Sequence, residues 1–208
     1  MTTRIAILDY GVGNLRSVEK ALEYVGAVAT ITSDATEVRA ADGLILPGVG
    51  AFPKAMERIR ERGLDELIAE RREAGAPILG ICLGLQLLFD STTELGGAAG
   101  LSLLSGEVAE LDAPGLKVPH IGWAPVRWEK ESRLTDGIES ETPFYLVHSF
   151  APRPAGEDLL GTAAYGARFA CAAERDNVFG VQFHPEKSSA AGLRLLANFA
   201  GVCAAVPA

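Results

Sequence analysis

Residues 76–89 read Ala-Pro-Ile-Leu-Gly-Ile-Cys-Leu-Gly-Leu-Gln-Leu-Leu-Phe, and this stretch decides the fold of the chain. It begins as an apolar run of strand length, turns where Gly80 and Gly84 flank Cys82, and continues as an apolar helix start. The pattern Gly-x-Cys-x-Gly is typical of a nucleophile elbow, a tight strand-to-helix turn that needs minimal side chains beside the nucleophile. The partial positive charge at a helix N-terminus favours a thiolate there. Because the pattern is short, a buried structural cysteine stays open as the alternative at this point.

Outward from the elbow, the preceding segments alternate between apolar runs and helical patterns. Strands are predicted at 4–9, 28–31, 43–46 and 77–81, and residues 54–74 predict two helices separated by Gly63. This alternation is typical of a parallel sheet covered by helices on both faces. The sequence therefore predicts an α/β fold with a mostly parallel central sheet flanked by helices.

After Glu94 the pattern changes to short strands, turns and prolines, which predicts antiparallel strands added to or beside the main sheet. A final amphipathic helix is predicted at 189–202, and the absence of a linker or repeat predicts one domain over 1–208. The candidate antiparallel strands are 104–111, 123–128, 144–147, 158–165, 169–175 and 178–181.

Composition restricts the class of function. The 208 residues carry a net charge of −8, which argues against a nucleic-acid groove or an anionic membrane as partner. The three cysteines, Cys82, Cys171 and Cys203, show no C-x-x-C spacing, so neither a disulfide framework nor a zinc site is indicated. No secretory signal pattern and no apolar run of membrane-spanning length is present, so we expect a cytoplasmic location, where a reactive thiol stays reduced.

The first strand is followed by a glycine-containing turn, Asp-Tyr-Gly-Val-Gly at 9–13, with Asn14 as a candidate helix cap. Two glycines after a strand, with Asp34 about 20 residues further on, invite a dinucleotide-binding interpretation. Arg16 occupies the position of the third glycine that this fingerprint needs for close helix packing. The sequence therefore disfavours a nucleotide cofactor, and no cofactor or metal is predicted.

A second glycine-containing loop, Pro-Gly-Val-Gly-Ala-Phe at 47–52, follows the third strand. Glycines at such a position let backbone N–H groups point outward, as an oxyanion hole requires. An ordinary connection that needs unusual φ values explains the same loop equally simply.

Near the C-terminus, the run Val-Phe-Gly-Val-Gln-Phe-His-Pro-Glu at 178–186 places His184 and Glu186 after an apolar strand. In an extended segment, residues two apart point to the same side, so Glu186 could orient His184. A cysteine, a base and an orienting carboxylate are the three parts of a nucleophilic hydrolase site. A lone histidine is more often structural, but that interpretation leaves the elbow and the glycine loop unexplained.

The motifs together resemble the class I (triad) glutamine amidotransferases, through Gly-Ile-Cys-Leu-Gly-Leu-Gln at 80–86 and Gln-Phe-His-Pro-Glu at 182–186. The resemblance covers essentially the whole chain and implies a flavodoxin-like version of the predicted fold. Two residues depart from the pattern: Phe150 replaces a usual tyrosine, and Ala124 replaces a usual asparagine in a turn expected to face a partner. A narrower match, to members of histidine biosynthesis, rests on the segments 9–17, 46–52, 119–123, 145–149 and 184–188.

The resemblance implies hydrolysis of glutamine to glutamate and ammonia, with Cys82 as nucleophile, His184 as general base and acid, and Glu186 as orienter. It further implies a heterodimer with a (β/α)₈-barrel cyclase subunit. That partner would use the ammonia to make imidazole glycerol phosphate and aminoimidazole carboxamide ribotide. The implied oxyanion donors are backbone groups of Leu83, Val49 and Gly50. The implied glutamine-binding residues are Gln86, Glu94, Ser149 and Phe150.

Two other classes of function remain to be weighed against this one. A thiol peptidase of the same fold would need a cleft open to long substrates and would act without a partner. A non-catalytic binding module would have no need for Cys82, His184 and Glu186 together.

Several polar and aromatic residues outside the motifs are expected to be structural or peripheral. Tyr145 and His148 are expected in the core, Trp123 and Trp128 in packing, and His120 in a turn facing the partner. Cys171 and Cys203 are expected to be inert.

Overall fold

The computed structural model describes residues 2–205, which form a nine-stranded central sheet and a smaller four-stranded sheet. The first half follows the predicted alternation of strand and helix, with Gly63 between the third and fourth helices. The strands are β1 (Arg4–Leu8), β2 (Val28–Thr32), β3 (Gly43–Gly48) and β4 (Ile78–Cys82). The helices are α1 (Leu15–Tyr24), α2 (Ala35–Ala40), α3 (Phe52–Glu61), α4 (Leu64–Glu73) and α5 (Leu83–Leu87).

The second half supplies the remaining strands and the last helix. These are β5 (Ser91–Thr92), β6 (Ala98–Ala99), β7 (Gly106–Glu110), β8 (His120–Trp128), β9 (Thr142–His148), β10 (Phe150–Pro154), β11 (Leu159–Tyr165), β12 (Ala167–Arg175), β13 (Val178–Val181) and α6 (Ser189–Ala204). The large sheet has the order β2-β1-β3-β4-β13-β12-β11-β8-β9. Strands β2 to β13 in that order pair in parallel, and the pairs from β13 to β9 are antiparallel. The predicted α/β fold is confirmed.

Strand β13 corrects one detail of the sequence prediction. It was expected among the antiparallel additions, and it does pair antiparallel with β12, but it lies parallel to β4. Its register sets Val181 beside Ile81, so the segment after β13 emerges at the sheet edge where β4 turns into α5. The parallel and antiparallel halves of the sheet therefore join beside the elbow.

The smaller sheet, of order β10-β7-β5-β6, was predicted only at β7. Strand β10 contains Pro152 and Pro154, and proline argues against an internal strand because it lacks an N–H donor. The structure resolves this conflict by placing β10 at the edge of the sheet, paired only with β7.

Helices cover both faces of the parallel half. Alternate side chains of β1 illustrate the division: Ile5 and Ile7 pack in the cluster that contains residues of α1 and α6, whereas Ala6 and Leu8 pack in the cluster that contains residues of α2 to α5. Strands buried on both faces read as continuous apolar runs, as β1, β3 and β4 do. None of the helices between residues 2 and 205 is long and apolar enough to cross a membrane.

Two local predictions fail, those for Asn14 and Ala124, and one residue of the disfavoured dinucleotide interpretation has a structural role. Asn14 does not cap α1: its side-chain oxygen accepts a hydrogen bond from the Ser17 hydroxyl at 2.9 Å. Asp34, considered as a ribose ligand, instead caps α2 by accepting hydrogen bonds from two backbone N–H groups. Ala124 lies in β8 and not in a turn, and its side chain is buried in the core opposite Phe144.

Candidate active site

The elbow has the predicted strand-turn-helix geometry. Cys82 ends β4 with φ 56° and ψ −112°, a conformation that a non-glycine residue adopts only when its surroundings enforce it. A Cβ on Gly84 would overlap the carbonyl oxygen of Leu46, and one on Gly80 would lie 2.6 Å from the carbonyl oxygen of Gly84. The two flanking glycines are therefore required by close packing of α5 on the sheet, and the turn holds Cys82 at the sheet edge.

His184 follows the short segment after β13, and its Nδ1 lies 2.9 Å from Glu186 Oε1. Both side chains are almost completely buried. The predicted contact is present, but the reason given for it was wrong: Pro185–Lys187 is a turn of 3₁₀ helix and not extended chain. The tight turn, which begins at Pro185, brings Glu186 back under the imidazole.

The environment of His184 favours the imidazolium. Burial lowers the pKa of His184, but the nearby Cys82 and the hydrogen bond to Glu186 outweigh burial and raise the pKa to about 9. Cys82 and His184 also line one cavity. The arrangement is therefore able to hold a thiolate–imidazolium pair at neutral pH.

Gln182, which the sequence prediction left without a role, also contacts the sulfur of Cys82. Gln182 is fully buried, and its Nε2 lies 3.7 Å from Cys82 Sγ. Its Oε1 accepts a hydrogen bond of 3.0 Å from Gln86 Nε2, which also donates to the backbone carbonyl of Phe150 at 3.0 Å. Gln182 begins the Gln-Phe-His-Pro-Glu motif, but the motif alone gave it no role.

Nine of the ten predicted site residues line a single cavity of about 340 Å³. Glu186 does not line it and lies behind His184. The cavity also includes Pro119, Val147, His148 and Lys187, to which the sequence prediction assigned no catalytic role. The predicted residues that line it are Val49, Gly50, Cys82, Leu83, Gln86, Glu94, Ser149, Phe150 and His184.

Glu94 lines the cavity and contacts the first turn of α3. Its Oε2 accepts a hydrogen bond of 2.8 Å from the backbone N–H of Phe52, the first residue of that helix. The positive end of the helix favours a carboxylate at this position. Its second oxygen remains for a cationic group in the cavity.

The histidines and tryptophans outside the triad follow the predictions only in part. His148 is buried as expected, and its Nδ1 lies 2.9 Å from the Phe150 carbonyl oxygen, but it also lines the cavity. His120 was expected to face a partner; it is buried instead, stacked on Tyr165. Trp123 was expected to be packed, but its side chain is half exposed, at 51%.

The other two cysteines are buried and lie outside this cavity, as expected for inert thiols. Burial raises the pKa of Cys171, and it raises that of Cys203 to about 12. A larger open groove of about 1130 Å³ lies between the β8–β9 connection and α6. Neither cysteine nor histidine lines that groove, so the nucleophilic chemistry belongs to the smaller cavity.

Comparison with known proteins identifies the family. The family model for glutamine amidotransferase class-I matches residues 6–202. The chain belongs to the class I glutamine amidotransferases. Imidazole glycerol phosphate synthase subunit HisH of Moorella thermoacetica is 54% identical to it, over 94% of this chain and 93% of the relative. The subunit of the same name from Bacillus cereus (strain G9842) is 49% identical, over 95% and 94%.

Solved structures support the fold of this class I amidotransferase. PurLQS from Thermotoga maritima superposes with a TM-score of 0.78, over 97% of this chain and 99% of that one. Its sequence is only 20% identical, so this likeness concerns the fold alone.

Proposed function

We propose that this class I amidotransferase is the glutaminase subunit of an imidazole glycerol phosphate synthase, and that Cys82, His184 and Glu186 are its catalytic triad. The family match and the two HisH relatives support the activity. The observation that carries the residue assignment is a strained cysteine that shares one cavity with a histidine held by a buried carboxylate.

The reaction proceeds in two halves. Cys82 Sγ attacks the side-chain carboxamide carbon of glutamine, and a tetrahedral intermediate forms with its negative charge on oxygen. His184 gives its proton to the amide nitrogen, the C–N bond breaks, and ammonia leaves a thioester on Cys82. Water then loses a proton to His184 and attacks the thioester, which releases glutamate and regenerates the thiolate–imidazolium pair.

Two backbone regions are assigned to the oxyanion. The N–H of Leu83, which directly follows the nucleophile, begins α5. The loop at Val49 and Gly50 borders the same cavity, and Gly50 has φ +102°, a conformation that glycine accepts readily. Donors aimed at the developing oxyanion stabilise the tetrahedral intermediate more than the planar amide of the substrate.

The residues proposed to bind the amino-acid end of glutamine fall into two groups: hydrogen-bond acceptors for its ammonium and donors for its carboxylate. Both amide hydrogens of Gln86 are donated within the protein, to Phe150 and Gln182. Only the amide oxygen of Gln86 is left to accept a hydrogen bond from the substrate ammonium. Glu94 offers its second carboxylate oxygen to the same ammonium. The carbonyl oxygens of Ser149 and Phe150 already accept hydrogen bonds from the protein, so this segment would contact the substrate carboxylate through its N–H groups.

The size of the cavity speaks against a peptidase. A volume of about 340 Å³ suits a single amino acid. A peptidase would need a groove that continues past the nucleophile on both sides.

The cyclase partner is assigned to the outer face of β8. Ile121 and Trp123 lie on that strand with 60% and 51% of their surface exposed, although both are large and apolar. Trp123 packs edge-on against Tyr145, whose carbonyl oxygen accepts the N–H of His184. Pro119, just before β8, lines the cavity. A partner on this face would therefore cover the route by which ammonia leaves.

The decisive experiment compares wild type with Cys82→Ala in complex with a cyclase barrel. We expect glutamine-dependent synthesis of imidazole glycerol phosphate to be lost in the variant, because no thioester forms. Synthesis from added ammonium salt should be unchanged, because it bypasses the glutaminase site. Cys203→Ala serves as the control and should retain both activities. Loss of the ammonia-dependent activity in Cys82→Ala would show that Cys82 is structural.

A further inference from the structure

The turn after β1, Asp9 to Asn14, packs against the loop assigned to the oxyanion and has no role in the mechanism above. Tyr10 in this turn is fully buried, and its hydroxyl donates a hydrogen bond of 2.7 Å to the carbonyl oxygen of Pro47. Pro47 lies two residues before Val49, the first of the loop residues assigned as donors. The only polar atom of a buried tyrosine side chain is thus committed to the peptide from which the oxyanion loop departs.

Gly48 shows how closely the hydroxyl is fitted. A Cβ built on Gly48 would overlap the Tyr10 hydroxyl, and it would lie 3.1 Å from the Cβ of Leu83. In the pairing of β3 with β4, Gly48 lies opposite Cys82. The hydroxyl therefore packs at the end of β3, directly beside the strand that carries the nucleophile.

The turn that carries Tyr10 is itself held on its outer side. Arg58 donates to the carbonyl oxygen of Gly11 at 2.9 Å, and Arg62 donates to that of Asp9 at 3.2 Å. The Gly11 N–H donates in turn to the Asp9 side chain at 2.9 Å. Since both carbonyls are held by arginine side chains, one in α3 and one directly after it, the tyrosine between them has little freedom to withdraw.

We propose that Tyr10 is a positioning residue for glutamine hydrolysis: its hydroxyl fixes the Pro47 carbonyl and thereby the orientation of the Val49–Gly50 peptides toward the oxyanion. This inference rests on the proposed glutaminase function. It also gives the glycine-containing turn after β1 a role that the rejected dinucleotide interpretation did not supply.

The protonation state of Tyr10 agrees with this role. Burial raises the pKa of Tyr10, and the nearby Cys82 raises it further, whereas Arg58 lowers it. The hydroxyl therefore stays protonated and keeps donating to Pro47 while Cys82 is a thiolate.

The test uses Tyr10→Phe in the full chain with its cyclase partner, and Tyr165→Phe as the matched control. Tyr165 makes the same kind of bond, from its hydroxyl to the Lys117 carbonyl oxygen at 2.7 Å, away from the loop. We expect Tyr10→Phe to lower kcat for ammonia release by about 10–100-fold, with KM changed less than about 2-fold, because only the oxyanion is affected. Tyr165→Phe should behave as wild type.

A second readout separates positioning from general damage to the site. Iodoacetamide alkylates Cys82 by displacing iodide and forms no oxyanion, so its rate should stay within about 2-fold of wild type in Tyr10→Phe. An unchanged kcat would overturn the proposal, as would a parallel loss of alkylation and kcat. If the wild type itself releases no ammonia from glutamine, the proposed function fails and not the role of Tyr10.

Gly48→Ala tests the same contact if Tyr10→Phe folds poorly. Its added methyl group would displace the Tyr10 hydroxyl, so kcat should fall without a matching fall in the alkylation rate. An unchanged kcat in Gly48→Ala, or an equal fall in its kcat and its alkylation rate, would contradict the proposal.

Discussion

At the scale of single residues, His184 decides the pH range of this site, because burial and its two partners act in opposite directions on its pKa. The partners prevail and raise the pKa to about 9, well above the ordinary value near 6.5. The stabilisation from these contacts is fully present below about pH 6.5 and is lost as pH rises through about 9. The imidazolium proposed to protonate the amide nitrogen follows the same titration.

Glu186→Gln is expected to move this titration. Removing the carboxylate takes away one of the interactions that raise the pKa of His184, so the alkaline limb of kcat/KM should shift to lower pH. We expect kcat to fall on the order of 10²-fold or more, because the amide does not stabilise the imidazolium. Ammonia release measured from pH 6 to 10 gives both quantities.

The control is Glu61→Gln, which makes the same chemical change at an exposed site at the end of α3. Its pH profile should match that of wild type. An unmoved alkaline limb in Glu186→Gln would show that the carboxylate does not set the protonation of His184.

The sequence could predict that Cys82, His184 and Glu186 lie together, because each stands in a short motif with a chemical meaning. The contacts of Gln182 could not be predicted, because a single amide after an apolar strand does not reveal which buried group it faces. Its partners Cys82 and Gln86 lie about 100 residues away in the chain, and only the pairing of β13 with β4 brings them together.

At the scale of elements, the elbow is the part of the fold with the least tolerance for change. The Leu46 carbonyl oxygen of β3 lies where a Cβ on Gly84 of α5 would be, so the helix and the strand are in direct backbone contact. The predicted need for small residues beside Cys82 thus has an observed cause. Because the backbones of β3 and α5 are in contact, α5 can begin directly after the nucleophile.

Gly84→Ala and Gly201→Ala should therefore change stability in opposite directions. The methyl group at residue 84 forces backbone movement, and we expect a loss of about 1–3 kcal/mol or more in the free energy of unfolding. Gly201 lies inside α6 with no atom within 4 Å of an added Cβ, so alanine should gain about 0.5–1 kcal/mol. Urea denaturation of the two variants measures both values.

A destabilised Gly201→Ala would contradict the helix assignment at that position. A Gly84→Ala protein as stable as wild type would show that β3 and α5 can separate without cost, and the packing argument for the elbow would fail.

The smaller sheet marks the limit of prediction at this scale. Hydrophobic periodicity reports burial, so it found β1, β3 and β4, which are buried almost throughout. Strand β10 escaped prediction because its prolines read as breakers, and β5 and β6 are two residues long, too short for any periodicity. The expected role of segment 149–150 in glutamine binding therefore came from the family resemblance, because the sequence did not predict where this segment lies in the fold.

At the scale of the whole molecule, the site depends on the meeting of the two halves of the large sheet. The parallel half supplies Cys82 and the loop after β3, and the segment after β13 supplies His184. The antiparallel half contributes the end of β9. Strand β8 pairs with β9, so the exposed face of β8 belongs to a strand next to one that lines the cavity.

Trp123→Ala should weaken binding to the cyclase barrel. An exposed tryptophan beside an exposed isoleucine is the residue type that most often dominates the energy of an interface, so we expect a loss of at least about 2 kcal/mol, roughly 30-fold in Kd. Tyr24→Ala is the matched control, because Tyr24 is 78% exposed but ends α1, next to the opposite edge strand β2. Titration of each variant with the barrel, followed by calorimetry, gives the two constants. Equal affinity of Trp123→Ala and wild type would place the interface elsewhere, whereas weakening by Tyr24→Ala alone would place it at the β2 edge.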